Sequence, residues 1–446
     1  MVHGTLDTWV EELNQLALAA NLRPLPTEFQ VVSDEVIYTL SSYLVPGRYR
    51  HWSYGERYWI AKQQDERRLG RIYELVVNGD PAIAYLLDKN PDAYHVLVIG
   101  HVLAHADFFA HNRWLSQVRR QNVGLWFREH AQWIENLHQQ HGFARASALL
   151  DAARTLYQLI DSHYRPPTLE RSPLAPEPAP APFDWVRHLY DEPKFEPLEA
   201  PSAPTYRVWP KTRDVLALMG DLGRLDEDER VAIAMLREEM LYFRPQQETK
   251  VMNEGWATYW HVRLIRHFSQ WDDQDHIEAM RLHAQVTQPS QLLNPYYLGW
   301  TLWELLAESF GLTRCQTMIE QETDQSWIRQ WFSDDVVRLG QDRHLLPDHR
   351  PISPDDPKGE SEYYPPAELK EDIQRAFVVD TPEIIVSAID PDTHRLTLSY
   401  EGKNPLHPSY TQDVVDAIAF LWGGPVSLVS HHRTWQGDEH AWQKRG

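Results

Sequence analysis

Between Ala93 and Phe109 the chain is nearly apolar enough to cross a bilayer, yet it carries His95, His101, His105 and Asp107. No other stretch constrains the fold as strongly. In lipid, an ionisable side chain near the middle of a helix costs about 3 kcal/mol or more. The segment is therefore predicted to be a helix buried in the protein's own core, with no membrane span. Polar groups buried there must satisfy one another or hold a ligand. The fold must then bring a polar partner to this helix.

The first stretch reads H-V-L-A-H-A-D-F-F-A-H-N from His101 to Asn112. On a helix, His101 and His105 lie one turn apart on one face, a spacing by which two imidazoles reach one divalent metal. Asp107 and His111 share an adjoining face, where Asp107 could bind or orient an imidazole. A second stretch, N-E-G-W-A-T-Y-W-H from Asn253 to His261, supplies the partner. Glu254, Thr258 and His261 share a face. Glu254 and His261 are about 10 Å apart along the axis, which suits a ligand and a hydrogen-bonding partner better than two ligands of one ion. Two histidines four apart arise by chance in a chain with 22 His, and Phe108, Phe109, Trp256 and Trp260 read as core packing. The weight lies in convergence of both stretches on one site.

Composition narrows the class. A net charge of -21 excludes general binding to nucleic-acid phosphates. With Cys315 alone there is no internal disulfide and no cysteine zinc module, as in a reducing compartment. Acids in M-V-H-G-T-L-D-T-W-V-E-E-L, where a signal peptide needs basic residues, add to a cytoplasmic expectation.

Periodicity predicts a mainly α chain. Helices are expected over 5–21, 27–43, 56–78, about 92–114, 122–163, from about 211, over 228–243 with Pro245 ending the helix, and over 276–287, 300–310 and 312–340. Four parts follow: residues 1–165 with the H-x3-H motif; a Pro-rich arm or linker at 166–206; a helical part at 207–346 packing with the first as one domain; and a small α+β domain at 368–432. The last contains a hairpin from 384–390 and 395–400, a helix at 411–422 and a strand at 425–430.

Several of these segments, H-W-S-Y-G (51–55), Y-E-L-V-V-N (73–78), I-A-Y-L (83–86), H-V-L-A-H-A-D-F-F (101–109), F-R-P-Q-Q-E-T-K-V-M-N-E-G-W-A (243–257), N-P-Y-Y-L-G (294–299) and L-W-G-G-P-V-S-L (421–428), together resemble the stage V sporulation protein R (SpoVR-like) family. The resemblance implies a cytosolic bacterial protein, linked in spore formers to spore cortex formation. E-G-W-A-T-Y is also similar to the helix that brings the glutamate ligand in zinc peptidases of the HExxH kind. Val102 stands where that motif has its general-base glutamate, so Glu238, Glu239 or Asp107 would have to replace it.

Two readings follow. One is a metal-dependent hydrolase or amidase acting on a peptide or cell-wall precursor. Its ligands are His101, His105 and Glu254, its metal is zinc, iron or manganese, and Asp107, His261 and Glu238 are candidates for proton transfer. The other is a non-catalytic assembly or regulatory protein with protein partners, in which the cluster is structural or senses a ligand.

Overall fold

The computed structural model describes residues 2–45, 48–66, 74–161, 164–166, 168–171, 206–289, 294–351, 361–377, 383–402, 404–431 and 433–443. The proline-dense heart of the expected arm, 172–205, lies outside the described residues, with Phe183, Trp185, Tyr190 and Phe195. The fold is mainly α, with short sheets. It divides into two compact units, Met1–Gln132 with Tyr242–Val379, and Trp133–Leu241 with Asp380–Gly446.

The first unit is built on the helix Asp92–His111, which is buried on nearly every side. Of its most apolar stretch, 89% lies inside the protein. Helices Val2–Ala19, Lys250–Ile265 and Asp273–Val286 pack around it. Its core includes Val98, Val102 and Phe108 against Trp256, Trp260 and Trp303. Residues expected to be helical turn out otherwise at two places. Thr27–Val32 is a strand preceding the helix Asp34–Tyr43, and Glu74–Val77 is a strand. Both pair with Ala82–Leu87, the first parallel and the second antiparallel. The run Leu75-Val76-Val77 carries β-branched side chains, and with a partner strand available the sheet outweighs weak helical periodicity.

The helix Lys250–Ile265, bearing the second motif, starts without a cap from its own Thr249. Asp324 supplies one from 73 residues away, accepting the Val251 and Met252 N–H groups at 2.8 Å. The preceding helix, Glu227–Glu248, does not stop at Pro245 but runs through it. An interior proline costs about 3 kcal/mol. Here Tyr242 and Phe243, packed with Val77 and Phe127, hold the final turns in place.

The second unit contains a six-stranded sheet in the order Thr434–Gly437, Val426–Val429, Arg395–Tyr400, Ile384–Asp390, Tyr206–Thr212, Thr168–Arg171. The expected hairpin 384–390/395–400 is present and antiparallel. The helix Pro408–Trp422 connects two parallel strands and packs on Phe143–Thr155 and Val215–Leu222. The tail is therefore not a separate 368–432 domain. Tyr206–Thr212 is a strand paired with Ile384–Asp390, although helix was expected from about Lys211. At the other end, Leu369 and Ile373 of the helix Pro366–Phe377 belong to the first unit's core.

Cys315 is fully buried in that core, and burial pushes its thiol up to about 12. Since the thiolate is the nucleophile, Cys315 should resist iodoacetamide at pH 8 and react only after unfolding. Intact-mass measurement checks this, and rapid labelling of native protein would show that the packing is wrong.

Candidate metal centre

Helix Asp92–His111 presents His101 and His105 one turn apart, and helix Lys250–Ile265 presents Glu254 opposite them. His101 Nε2 lies 3.6 Å and His105 Nε2 3.5 Å from Glu254 Oε2. Both separations are too long for hydrogen bonds. They match the edge of a tetrahedral ligand set, about 3.4 Å for bonds of 2.0–2.1 Å. His101 Nε2 and Glu254 Oε2 are both buried without a hydrogen-bond partner. The sequence expectation that these three side chains come together is met geometrically, and one ligand atom from each lies within 4.8 Å of the others.

The structure adds a second carboxylate. Glu74, at the start of its strand, places Oε1 3.9 Å from His101 Nε2. Tyr296, at the start of the helix Pro295–Phe310, stacks its ring on His101 with centroids 6.0 Å apart, and its hydroxyl feels the charge of Glu254. Neither carries a chemical signal of its own in the sequence, although Glu74 stands in Y-E-L-V-V-N and Tyr296 in N-P-Y-Y-L-G, both part of the family resemblance. The side chains of His101 and His105 are 5% and 7% exposed, those of Glu74 and Glu254 17% and 18%.

Charge follows from this enclosure. Burial opposes ionisation of Glu254, yet the two facing imidazoles hold its carboxyl well below the usual range. Glu74 is pushed up to about 7 by burial and by the charge of Glu254. Burial and the neighbouring His105 lower His101 to about 4, so it is neutral, as a metal ligand must be. His105 is raised: burial pulls it down, but Glu254 and Asn253 outweigh that. Beside Glu254 and Glu74, the Tyr296 hydroxyl is held well above its ordinary value and stays protonated.

A further layer fixes the imidazoles. His105 Nδ1 donates to Asn253 Oδ1 at 2.8 Å, which turns its Nε2 lone pair toward Glu254. His261 lies 3.0 Å from His101, Nδ1 to Nδ1, as a partner and not a ligand. Asp107 is elsewhere. Its two oxygens accept the Arg23 N–H at 2.7 Å and the Trp256 indole N–H at 2.9 Å, tying the motif helices together. With His111 it lines a cavity of about 330 Å³ that none of the three clustered residues lines. Glu238 is exposed on the second unit, and the buried glutamate beside it is Glu239. The helical periodicity could not rank these acids, because the packing partner of each face is not local.

Comparison with known proteins bears on the same residues. The family described as SpoVR like protein matches residues 3–345. This chain belongs to that family. The matched range holds His101, His105, Glu254, Glu74 and Tyr296, and stops short of the 421–428 segment. The SpoVR-like chain is also similar to the "Uncharacterized protein YcgB" of Escherichia coli (strain K12), with 25% identity over 353 residues, covering 74% of this chain and 66% of that protein. It thus spans just under two thirds of that relative's length. No solved structure matches.

Proposed function

We propose that this SpoVR-family protein is a cytosolic metal-dependent hydrolase or amidase acting on a peptide or cell-wall precursor, with its metal held by His101, His105 and Glu254. The observation that carries this is the 3.6 and 3.5 Å spacing of His101 Nε2 and His105 Nε2 from Glu254 Oε2, with His101 Nε2 and Glu254 Oε2 both buried and unpartnered. Two imidazoles and a carboxylate suit zinc, iron or manganese. Such a metal, when bound, polarises a carbonyl and activates water. Glu74, with Oε1 3.9 Å from His101 Nε2, would complete the ligand set or take up the water's proton, the task left open by Val102. Tyr296 can donate a hydrogen bond to an oxygen at the mouth of the site. A link to spore cortex or envelope formation is what the family name suggests for the substrate.

The test is elemental analysis of protein purified without added metal or a metal-binding tag. Close to one equivalent of transition metal is expected in the parent, falling about tenfold or more in Glu254→Gln and His105→Ala, since each removes a ligand. A metal-free parent that also fails to take up zinc, iron or manganese sinks the reading. The cluster would then be a hydrogen-bond network in a non-catalytic partner protein.

A further inference from the structure

We propose that His261 is a positioning residue that sets the proton of His101 on Nδ1, as the middle member of a directed chain of imidazoles running from His101 through His261 to His283. The proposal rests on the metal-centre reading of the same site. His101 Nδ1 meets His261 Nδ1 at 3.0 Å, and His261 Nε2 meets His283 Nδ1 at 3.0 Å. All three rings are buried.

A neutral imidazole has one N–H and one acceptor nitrogen. Two self-consistent directions therefore exist. In the outward one, His101 donates from Nδ1, His261 accepts on Nδ1 and donates from Nε2, and His283 accepts. In the inward one every proton moves to the other nitrogen, and His101 carries its proton on Nε2. That proton would face Glu254 across 3.6 Å, too far for a bond. The outward direction leaves the Nε2 lone pair facing the carboxylates, where a cation satisfies both. No carboxylate takes a hydrogen bond from His261, whose two ring nitrogens are spent on histidines. A doubly protonated middle ring would be a buried charge without a counterion.

One helix thus sets both ligand tautomers by different means. Asn253 offers His105 an amide oxygen, which can only accept, whereas His261 offers His101 a ring nitrogen that accepts because the proton of the same ring lies on Nε2, donated to His283. His261 follows Glu254 by seven residues, two turns along the same face.

The experiment compares His261→Asn, whose Oδ1 can replace Nδ1 as acceptor, with His261→Leu, which fills the space and accepts nothing. Zinc affinity is measured on metal-stripped full-length protein by chelator competition, and ¹⁵N-histidine NMR reads the His101 tautomer. His261→Leu should lose about 10–100-fold in zinc affinity and His261→Asn no more than about threefold, as expected for loss and retention of an outer partner. A general packing defect would weaken both variants alike. Equal losses, no loss in His261→Leu, or a His101 proton on Nε2 would overturn the proposal while leaving the metal centre standing. A parent that binds no zinc refutes the metal centre instead, and the spectrum of that protein still upholds or overturns the Nδ1 assignment.

Discussion

Gly255→Ala is expected to lower the melting temperature of the first unit by about 5–10 °C, a loss of about 3 kcal/mol. Helices Lys250–Ile265 and Pro295–Phe310 cross at Gly255 and Gly299 with their backbones in contact. A Cβ at position 255 would lie 2.3 Å from the Gly299 carbonyl carbon, and one at 299 would lie 2.2 Å from the Val251 oxygen. Backbone atoms cannot rotate aside as a flexible side chain can, so the helices would have to part. Those helices carry Glu254 and Tyr296, and parting them would also loosen the cluster of His101, His105 and Glu254. Gly55→Ala is the control of opposite sign. It sits in an exposed helix with open space around the added carbon, so it should be neutral or stabilising by up to about 1 kcal/mol. Thermal melts of the two variants decide the matter, and an unchanged Gly255→Ala curve would mean that the helices do not cross as described.

Truncation after Val379 should destroy the second unit outright. The cut removes the strands Ile384–Asp390, Arg395–Tyr400, Val426–Val429 and Thr434–Gly437 and the helix Pro408–Trp422. Strand Tyr206–Thr212 loses its pairing with Ile384–Asp390, and helices Phe143–Thr155 and Val215–Leu222 lose the helix they pack on. Buried side chains lost with the tail include Ile385, Val386, Leu396, Leu398, Ile418, Phe420, Trp422 and Leu428. At about 1.5–3 kcal/mol for each large apolar side chain, their removal exceeds the whole stability of an ordinary domain, about 5–15 kcal/mol. Limited proteolysis should then cut freely between residues 133 and 241. Protection of that segment in the truncated chain would show that the tail is, after all, an autonomous domain.

The sequence by itself determined the central helix and the pairing of His101 with His105 on one of its faces. An apolar run with histidines at i and i+4 can only be a buried helix presenting both imidazoles to one partner, and that relation is local. The same holds for the 384–400 hairpin, where alternation and a turn declare themselves within a few residues. Tertiary structure alone decided the rest. Glu74 sits on a strand that exists because Ala82–Leu87 pairs with it. Tyr296 reaches the site because two glycines let its helix touch the one bearing Glu254. Asp107 and Glu238 had the right chemistry in the sequence, but Asp107 faces Arg23 and Trp256, and Glu238 faces solvent. The tail's sheet closes only when strands more than 170 residues apart in the chain meet. Helical and strand periods report which side of a segment is buried. They do not report what it is buried against, and in this protein that assigns each acid its role.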